Sequence, residues 1–347
     1  MPGTVMTPGG LTRPIAKLLS SRAPRQYERR PRFQGRHRPD ADLSRAAPAR
    51  IAAHLTRDPA NRGRTSPLAQ GRGSLPADRE PRDAVWMNMP WQDLSPAPED
   101  MAFDDHLLAR YAAELTGRRL LAMRQQDVPV ADLRRRADAL GHESLMTVLG
   151  KHRPDDAVLS EEGVDDSPRL SASRVWIVDP LDGTREYGEP PRDDWAVHVA
   201  LWQDGELAAG AVALPALGAT YDTATPPVVS AASTSHPRIA VSRTRPPAFI
   251  EGLAEHLGAE LVPMGSAGAK VISIVRDVSD AYLHAGGQYE WDSAAPVAVA
   301  RAAGLFTSRI DGADLEYNRP DPLLPDLIVC RPELADSIIG YVREHEG

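Results

Sequence analysis

Cysteine is nearly absent from this sequence: its 347 residues include only one, Cys330. A single cysteine excludes an intramolecular disulfide framework and a zinc cluster built on cysteines. It favours a reducing compartment, so we expect a cytoplasmic protein. Long apolar runs are also missing, since no stretch approaches the roughly 18 consecutive apolar residues of a membrane span. The hydrophobic fraction of 42% still suffices for a sizeable core. These features predict a soluble globular protein that does not insert into membranes.

Charge is unevenly distributed along the chain. Residues 1–95 contain 17 Lys and Arg against 8 Asp and Glu, a balance of +9, whereas residues 96–347 contain 23 against 40, a balance of −17. The first segment also holds 12 of the 32 prolines and has no sustained apolar period. Such a segment cannot bury enough apolar surface to offset the entropy lost when it orders. We therefore predict that residues 1–95 form a disordered, Arg- and Pro-rich extension.

Three roles compete for this extension. A basic arm that binds nucleic acid is one, but the segment lacks regular aromatic interleaving and any recognisable nucleic-acid-binding module. An organellar transit peptide is another, because residues 1–39 contain a single acidic residue, Glu28. The third is a solvated extension without a specific role, and the composition favours it.

After Asp104 the pattern changes to helices and short strands. Apolar residues at helical spacing predict helices over 106–115, interrupted at Gly117, and over 132–151. β-Branched and apolar runs predict strands at 157–160, 175–178, 195–202 and 208–214. From about residue 236 strands alternate with helices: strands at 238–242, 280–284 and 326–330, and helices at 246–257, from about 267, at 293–303 and at 332–345. The pattern predicts an α+β sub-domain over 96–235 followed by an α/β sub-domain over 236–347.

The segment Asp-Pro-Leu-Asp-Gly-Thr at 179–184 carries the strongest chemical signal. We expect the preceding strand to end at Asp179, because Pro180 has no N–H to donate to a sheet. Asp179 and Asp182 would then project from one tight turn and offer oxygen ligands suited to Mg²⁺. The backbone N–H groups of Gly183 and Thr184, at the start of a helix, would hold a phosphate. Taken alone, the same residues also fit an ordinary turn without function.

Two further carboxylate segments strengthen the metal hypothesis. Glu161 and Glu162 follow an apolar strand, and adjacent residues of an extended chain point in opposite directions. One of them could therefore bind a metal ion directly while the other acts from behind it. Asp292 follows a tryptophan at the predicted N-cap of a small-residue helix. In isolation the glutamates would be read as solvated surface residues and Asp292 as a capping residue.

The order of these segments resembles that of the inositol monophosphatase-like superfamily of Mg²⁺-dependent, lithium-sensitive phosphatases. The resemblance covers residues 104–345 and rests on Glu-Glu at 161–162, Asp-Pro-Leu-Asp-Gly-Thr at 179–184 and Trp-Asp-Ser-Ala-Ala at 291–295. Wider stretches, such as Gly-Ser-Ala-Gly-Ala-Lys at 265–270 and His-Ala-Gly-Gly-Gln at 284–288, are similar to the actinobacterial CysQ branch of that superfamily. The resemblance implies a layered αβαβα sandwich of the inositol monophosphatase and fructose bisphosphatase type.

The resemblance also implies roles for individual residues. Glu161, Asp179 and the Leu181 carbonyl match the first metal site. Asp179, Asp182 and Asp292 match the second, so that Asp179 would bridge two of the two or three Mg²⁺ ions. Thr184 and Asp138, which lies 23 residues before Glu161, match the pair that orients the attacking water, and Glu162 would act from behind the ligands. The segments that match the family's substrate side place Gly183, Thr184, Ser242, Arg243, Ser266, Lys270, His284 and Asp292 at the substrate.

The CysQ-like stretches imply a nucleotide substrate that carries two phosphates. Lys270 would bind the phosphate that is not cleaved, although a solvated helix lysine is the commoner fate of this residue type. His284 stands where related nucleotidases often have arginine, and it also fits a strand-end histidine. Ser242 and Arg243 are either nucleotide contacts or turn residues.

The leading hypothesis is a Mg²⁺-dependent phosphatase that removes the 3′-phosphate of 3′-phosphoadenosine 5′-phosphate, a by-product of sulfate assimilation. An inositol monophosphatase or a fructose 1,6-bisphosphatase is the alternative within the same superfamily, and a homodimer is compatible with either. A protein of a different class, which binds nucleic acid through the basic extension without catalysis, is disfavoured because such a protein needs no cluster of carboxylates.

Overall fold

The computed structural model describes residues 103–230 and 236–345. The disordered extension predicted for residues 1–95 lies outside these ranges. Within them, no helix is long and apolar enough to cross a membrane.

Two long helices open the described chain. Helix α1 spans Asp105–Arg124 and begins where the Asp104 side chain accepts a 2.8 Å hydrogen bond from the Leu107 N–H. It runs through Gly117, so the predicted interruption is wrong: that glycine is buried, and burying the apolar helix face outweighs the roughly 1 kcal/mol that glycine costs. Helix α2 spans Val130–His152 and extends the predicted helix by residues at both ends.

The first sheet is formed by five strands in the order β1-β2-β3-β4-β5. They are β1 (Ala157–Ser160), β2 (Arg174–Asp182), β3 (Ala196–Gln203), β4 (Glu206–Leu214) and β5 (Ala219–Asp222). Strands β1 and β2 are parallel, and the other neighbours are antiparallel. A one-turn helix, α3 (Thr184–Tyr187), follows β2 directly.

The second sheet has the strand order β7-β6-β8-β10-β9. Its strands are β6 (Arg238–Ser242), β7 (Glu260–Met264), β8 (Ala281–Tyr289), β9 (Phe306–Ser308) and β10 (Leu323–Cys330). The helices of this half are α4 (Ile250–Leu257), α5 (Ala267–Val275), α6 (Glu290–Ala302) and α7 (Ala335–His345). Strand β6 is parallel to both β7 and β8, whereas β10 is antiparallel to β8 and β9.

Helices and sheets stack in five layers. Helices α1 and α2 cover one face of the first sheet, α5 and α6 lie between the two sheets, and α4 and α7 cover the far face of the second sheet. Strand β2 shows how the sequence encodes this arrangement: Trp176 and Val178 face α1 and α2, while Val175 and Ile177 face the central helices. The predicted αβαβα sandwich is confirmed. The sheets are built from residues on either side of the predicted boundary at 235/236, and a division into two sub-domains stays a prediction.

Several predicted boundaries were wrong for local physical reasons. The helix predicted from residue 246 begins at Ile250, after Pro246 and Pro247. The strands β5, β7 and β9 were not predicted, because they have only three to five residues and carry no clear alternation. Strand β8 continues beyond the predicted end at residue 284, through Gly286 and Gly287 to Tyr289.

Gly210 of β4 sets how closely α6 approaches the first sheet. A Cβ atom at this position would lie 2.7 Å from the Ala298 Cβ of α6. We expect Gly210→Ala to lower the free energy of unfolding by roughly 1–3 kcal/mol, as overpacked cores do. Gly150→Ala is the matched control, because nothing lies within 4 Å of the added methyl group on α2. That change should be neutral or stabilising by about 0.5–1 kcal/mol. Urea denaturation of both variants measures the difference, and equal stabilities would contradict the close packing of β4 and α6.

Candidate active site

The end of β2 places two aspartates side by side. The strand does not end at Asp179, as predicted, but continues to Asp182 with a bulge between the two residues. The bulge accommodates Pro180, which could not donate within a regular ladder. Asp179 and Asp182 are 1% and 7% exposed. The Leu181 N–H donates to Asp179 Oδ1 at 2.9 Å, which fixes one carboxylate oxygen.

Asp292 belongs to helix α6 and is not its N-cap, which corrects the sequence-based placement. Tyr289 is the N-cap, and Asp292 is the third helical residue. Its Oδ2 atom accepts a 2.7 Å hydrogen bond from the Tyr289 N–H. The carboxylate thus reaches back over the first turn, where the positive end of the helix dipole also favours it.

Asp179, Asp182 and Asp292 form one acidic cluster. One carboxylate oxygen of each lies within 4.8 Å of the others. Burial, followed by the charges of Glu161 and Asp182, raises the pKa of Asp179 well above its usual range. Burial and the charge of Asp182 raise the pKa of Asp292 to about 7. Among the residues that the structure describes, no Lys or Arg side chain forms an ion pair with these three carboxylates. A cluster of oxygen donors whose negative charge is uncompensated fits a hard divalent cation.

Glu161 and Glu162 lie in a turn and not in the strand. Strand β1 ends at Ser160, so the predicted alternation of the two side chains does not apply. Glu161 as a residue is exposed, but its carboxyl group is close enough to Asp179 to hydrogen bond with it when one of the two is protonated. Burial of that carboxyl and the charge of Asp292 raise its pKa to about 8. Glu161 therefore lies beside the acidic cluster without belonging to its three closest oxygens.

Thr184 and Asp138 meet beside the cluster, although 46 residues separate them. The Thr184 hydroxyl lies 3.3 Å from Asp138 Oδ1 and 3.1 Å from the Leu181 carbonyl oxygen, and its single proton can be donated to either. Burial and the charge of Glu162 raise the pKa of Asp138 to about 6, so this carboxylate is mostly ionised at neutral pH. A hydroxyl and an ionised carboxylate this close together can both hydrogen bond to the same water molecule.

Residues at the start of helix α5 fix one carboxylate oxygen of Asp182. Asp182 Oδ2 accepts a 2.8 Å hydrogen bond from the Gly268 N–H and a short one from the Ser266 hydroxyl. Ser266 is the N-cap of α5, and its hydroxyl oxygen also accepts from the Ala269 N–H at 2.9 Å. Gly183 approaches this cap closely: its φ is +85°, and a Cβ would lie 3.1 Å from the Ser266 Cβ. The end of β2 and the start of α5 therefore form one unit.

A cavity of about 550 Å³ opens next to the cluster. It is lined by Asp182, Gly183, Thr184, Ser242, Arg243, Ser266, Lys270, His284 and Asp292 among others, and so it unites the residues that were predicted at the substrate. Asp138, Glu161, Glu162, Asp179 and Leu181 are not part of its lining.

The three basic residues predicted at the substrate are either bonded to other protein groups or uncharged at neutral pH. Arg243 pairs with Glu186 at 2.6 Å and with Glu189 at 2.8 Å. Lys270 is 4% exposed and donates to the carbonyl oxygens of Gly265 and Ser266, and its burial lowers its pKa to about 8. Burial and the charge of Lys270 lower the pKa of His284 to about 4, so this ring is uncharged at neutral pH.

Arg245 is a cavity residue that the sequence analysis missed. It is exposed, and its backbone N–H donates to the Ser242 Oγ at 3.1 Å. In the described part of the chain its guanidinium has no ion-pair partner, unlike that of Arg243. The signal was present as Ser-Arg-Thr-Arg at 242–245, but the sequence does not tell which of the two arginines is free.

Asp194 and His198 are two further residues to which the sequence analysis gave no role at the site. Asp194 Oδ2 accepts from the Gly265 N–H at 2.6 Å, and its backbone carbonyl accepts from the Ser266 N–H at 3.2 Å, which holds the turn before α5. His198 is fully buried, donates from Nδ1 to the Trp291 carbonyl at 3.0 Å, and places Nε2 3.3 Å from Asp182 Oδ2. The hydrogen bonds to Gly265 and to Trp291 span 71 and 93 residues, beyond the reach of local patterns.

Comparison with known proteins identifies the family. A model of the inositol monophosphatase family matches residues 106–346. A 3′-phosphoadenosine 5′-phosphate phosphatase of Mycobacterium leprae is 48% identical over 255 residues, which cover 69% of this chain and 94% of the relative. The chain therefore belongs to the inositol monophosphatase family.

Solved structures agree with this assignment at the level of the fold. The crystal structure of CysQ from Bacteroides thetaiotaomicron, a bacterial member of the family, superposes with a TM-score of 0.58 at 25% identity and covers 65% of this chain and 97% of that one. Inositol monophosphatase II from Staphylococcus aureus superposes with a TM-score of 0.59 at 20% identity and covers 69% of this chain and 95% of that one.

The acidic cluster predicts an unusual pH dependence of stability without metal ions. The folded protein retains a proton on Asp292 up to about pH 7, whereas an ordinary aspartate releases it near 3.8. Because the folded state binds more protons in this window, stability falls as pH rises through it. We expect Asp292→Asn to flatten this decline, since an amide has no proton to lose. Unfolding temperatures in a chelating buffer between pH 5 and pH 8 measure it. Parallel curves for the two proteins would contradict the repulsion within the cluster.

Proposed function

We propose that this member of the inositol monophosphatase family is a Mg²⁺-dependent phosphatase that converts 3′-phosphoadenosine 5′-phosphate to AMP and inorganic phosphate, a reaction that clears a by-product of sulfate assimilation. The observation that carries the proposal is the acidic cluster next to the Asp138–Thr184 pair, at the mouth of a polar cavity. The name of the Mycobacterium leprae relative, which is similar over most of its length, supports the choice of substrate.

The metal site follows from the donors that the chain provides. We assign Glu161, Asp179 and the Leu181 carbonyl to one Mg²⁺, and Asp179, Asp182 and Asp292 to a second, and we expect two or three ions in each active site. When bound, such ions lower the pKa of a coordinated water and neutralise charge on the phosphate and on the leaving oxygen. We place Asp179 in both sets because the charges of both Glu161 and Asp182 act on its carboxyl group.

The chain's own residues position and deprotonate the water. The Thr184 hydroxyl, anchored by the Leu181 carbonyl, orients the water for in-line attack, and Asp138 Oδ1 receives its proton. Asp138 can do so at neutral pH because its pKa of about 6 leaves it mostly ionised. Glu162 contributes indirectly, since its negative charge helps to raise that pKa and makes the carboxylate a stronger base.

The second phosphate of the nucleotide needs a free cation. Arg243 is held by two glutamates, Lys270 by two carbonyl oxygens, and His284 is neutral. Arg245 is exposed at the cavity without a carboxylate partner in the described residues, so we assign the 5′-phosphate contact to it. Lys270 then holds the N-terminus of α5 and adds positive charge to the cavity wall. It does not bind the 5′-phosphate by itself.

The remaining alternatives differ in substrate and not in site. An inositol monophosphatase or a fructose 1,6-bisphosphatase would use the same carboxylates, so only turnover separates them. Nucleic-acid binding through the basic extension concerns residues outside the described ranges and leaves the acidic cluster unexplained. A cytoplasmic location and a homodimer stay predictions from the sequence.

A substrate panel tests the proposal. Phosphate release should be fastest from 3′-phosphoadenosine 5′-phosphate, slower from inositol 1-phosphate and fructose 1,6-bisphosphate, dependent on Mg²⁺ and inhibited by Li⁺. Asp179→Asn should release none above background from any of them, because both metal sites lose a ligand. Higher kcat/KM on either sugar phosphate would replace the nucleotide by that substrate, and an active Asp179→Asn variant would remove the metal assignment.

Arg245→Ala tests the selectivity assignment. Loss of one charge-assisted hydrogen bond costs about 1.5–3 kcal/mol, or roughly a 10- to 150-fold drop in kcat/KM. We expect this drop on the nucleotide and almost none on inositol 1-phosphate, which has no second phosphate. Arg185→Ala removes another exposed arginine of the cavity wall and should affect the nucleotide less. Equal losses on both substrates, or equal losses in both variants, would show that Arg245 is not the specific contact.

A further inference from the structure

Glu161 and Asp292, two of the metal ligands assigned above, come from different parts of the fold. Glu161 follows β1 of the first sheet, whereas Asp292 stands at the start of α6, directly after β8 of the second sheet. Asp292 belongs to the acidic cluster, and we assign Glu161 to the same metal centre, so both are anionic ligands that repel each other when ionised. Something must hold these two segments together before any cation binds.

A buried arginine lies between these two segments. Arg169 belongs to the short 3₁₀ helix Ser167–Ser171 in the loop after Glu161, and it is 2% exposed. It binds back to its own loop, where Nε lies 2.6 Å from Asp165 Oδ1 and Nη2 lies 3.0 Å from Asp165 Oδ2. Its remaining hydrogen bonds cross to the loop before β10: Nη1 donates to Asn318 Oδ1 at 2.7 Å, and Nη2 donates to the Arg319 carbonyl at 2.8 Å.

Asn318 and Arg319, in the loop before β10, also bond to helix α6. The Asn318 N–H donates to Glu290 Oε2 at 2.6 Å, and the Arg319 N–H donates to Glu290 Oε1 at 2.8 Å. Glu290 is the first residue of α6, is 1% exposed and stands two positions before Asp292. The Asn318 backbone is left-handed, with a φ of +60°, a conformation that asparagine adopts more readily than most residues.

We propose that this Arg169–Asn318–Glu290 bridge is a positioning device that holds the start of α6, and with it Asp292, against the turn that carries Glu161. The proposal rests on the proposed function only for the statement that these carboxylates bind a divalent cation. The bridge residues touch neither substrate nor ion. They act by keeping two ligands, which repel each other, at the separation that a cation requires.

The location of the bridge distinguishes positioning from general stabilisation. A comparable buried arginine, Arg331, is 3% exposed and contacts Asp280, Asp277 and the Ser230 carbonyl. Asp280 immediately precedes β8, while Glu290 immediately follows it, so the two arginines serve opposite ends of one nine-residue strand. At about 3.3 Å per residue these ends are roughly 30 Å apart. Arg331 therefore supplies a control of equal burial and similar bonding that is remote from the acidic cluster.

Direct metal binding tests the bridge without substrate. Asn318→Gly keeps the left-handed backbone and the N–H to Glu290 but removes the acceptor of Arg169, and Arg169→Met removes its donors. We expect each to weaken Mn²⁺ binding, measured by electron paramagnetic resonance of free Mn²⁺, by about 10- to 100-fold, as for groups that support metal ligands. Asn318→Asp, which retains an acceptor oxygen for Arg169, should bind Mn²⁺ within about threefold of wild type.

Arg331→Met separates the two explanations. It should lower the unfolding temperature in a chelating buffer about as much as Arg169→Met, yet leave Mn²⁺ affinity unchanged. Wild-type Mn²⁺ affinity in Asn318→Gly would overturn the proposal, even if Arg169→Met fails to fold. Weakened binding in Arg331→Met, or no recovery in Asn318→Asp, would also overturn it, because stability or some other contact would then explain the loss. Failure of nucleotide hydrolysis with these metal-binding results intact would count against the proposed substrate alone.

Discussion

The mutual repulsion of buried carboxylates is the constraint on which the rest of this structure depends. Asp179, Asp182 and Asp292 lie close together, and no Lys or Arg of the described residues forms an ion pair with them. Burial first, and then the charges of neighbouring carboxylates, raise the pKa of Asp179 and of Asp292. Each has one oxygen fixed by the protein: by the Leu181 N–H, by the Ser266 hydroxyl and Gly268 N–H, and by the Tyr289 N–H. These hydrogen bonds offset part of the repulsion and leave the other oxygen of each carboxylate for a cation. Folding brings these carboxylates together at a cost in free energy. A bound cation would offset this cost, because its positive charge neutralises their mutual repulsion.

The layered architecture brings these groups together because both sheets end near the central helices. Asp179 and Asp182 come from β2 of the first sheet, the donors Ser266 and Gly268 come from α5, and Asp292 comes from α6. Helices α5 and α6 pack on both sheets and on each other. A shift between the sheets would therefore change the separation of the carboxylates, so the packing of the central layer is also a determinant of metal geometry.

Sequence reasoning reaches furthest where the chemistry is local. Asp179, Asp182 and Thr184 fall within six residues, Glu161 and Asp292 were noted as carboxylates in two further segments, and the family resemblance supplied Asp138. It failed where the decisive partner is distant. The bulge that carries β2 to Asp182 depends on pairing with β3, and the helix position of Asp292 depends on Tyr289 becoming the cap. The contact between Arg169 and Asn318 spans 149 residues, and no periodicity or motif announces it.

The two arginines of Ser-Arg-Thr-Arg show why substrate residues are harder to assign than metal ligands. Arg243 and Arg245 have the same side chain on the same loop, yet Glu186 and Glu189 neutralise the first and leave the second free. A metal ligand is recognisable from its type and spacing, because the ion demands several carboxylates at once. A phosphate contact needs only one unpaired cation, and pairing is a property of the folded surface. Exchange of this one ion pair would change which arginine is free at the cavity, while the acidic cluster and its hydrogen-bond donors stay intact.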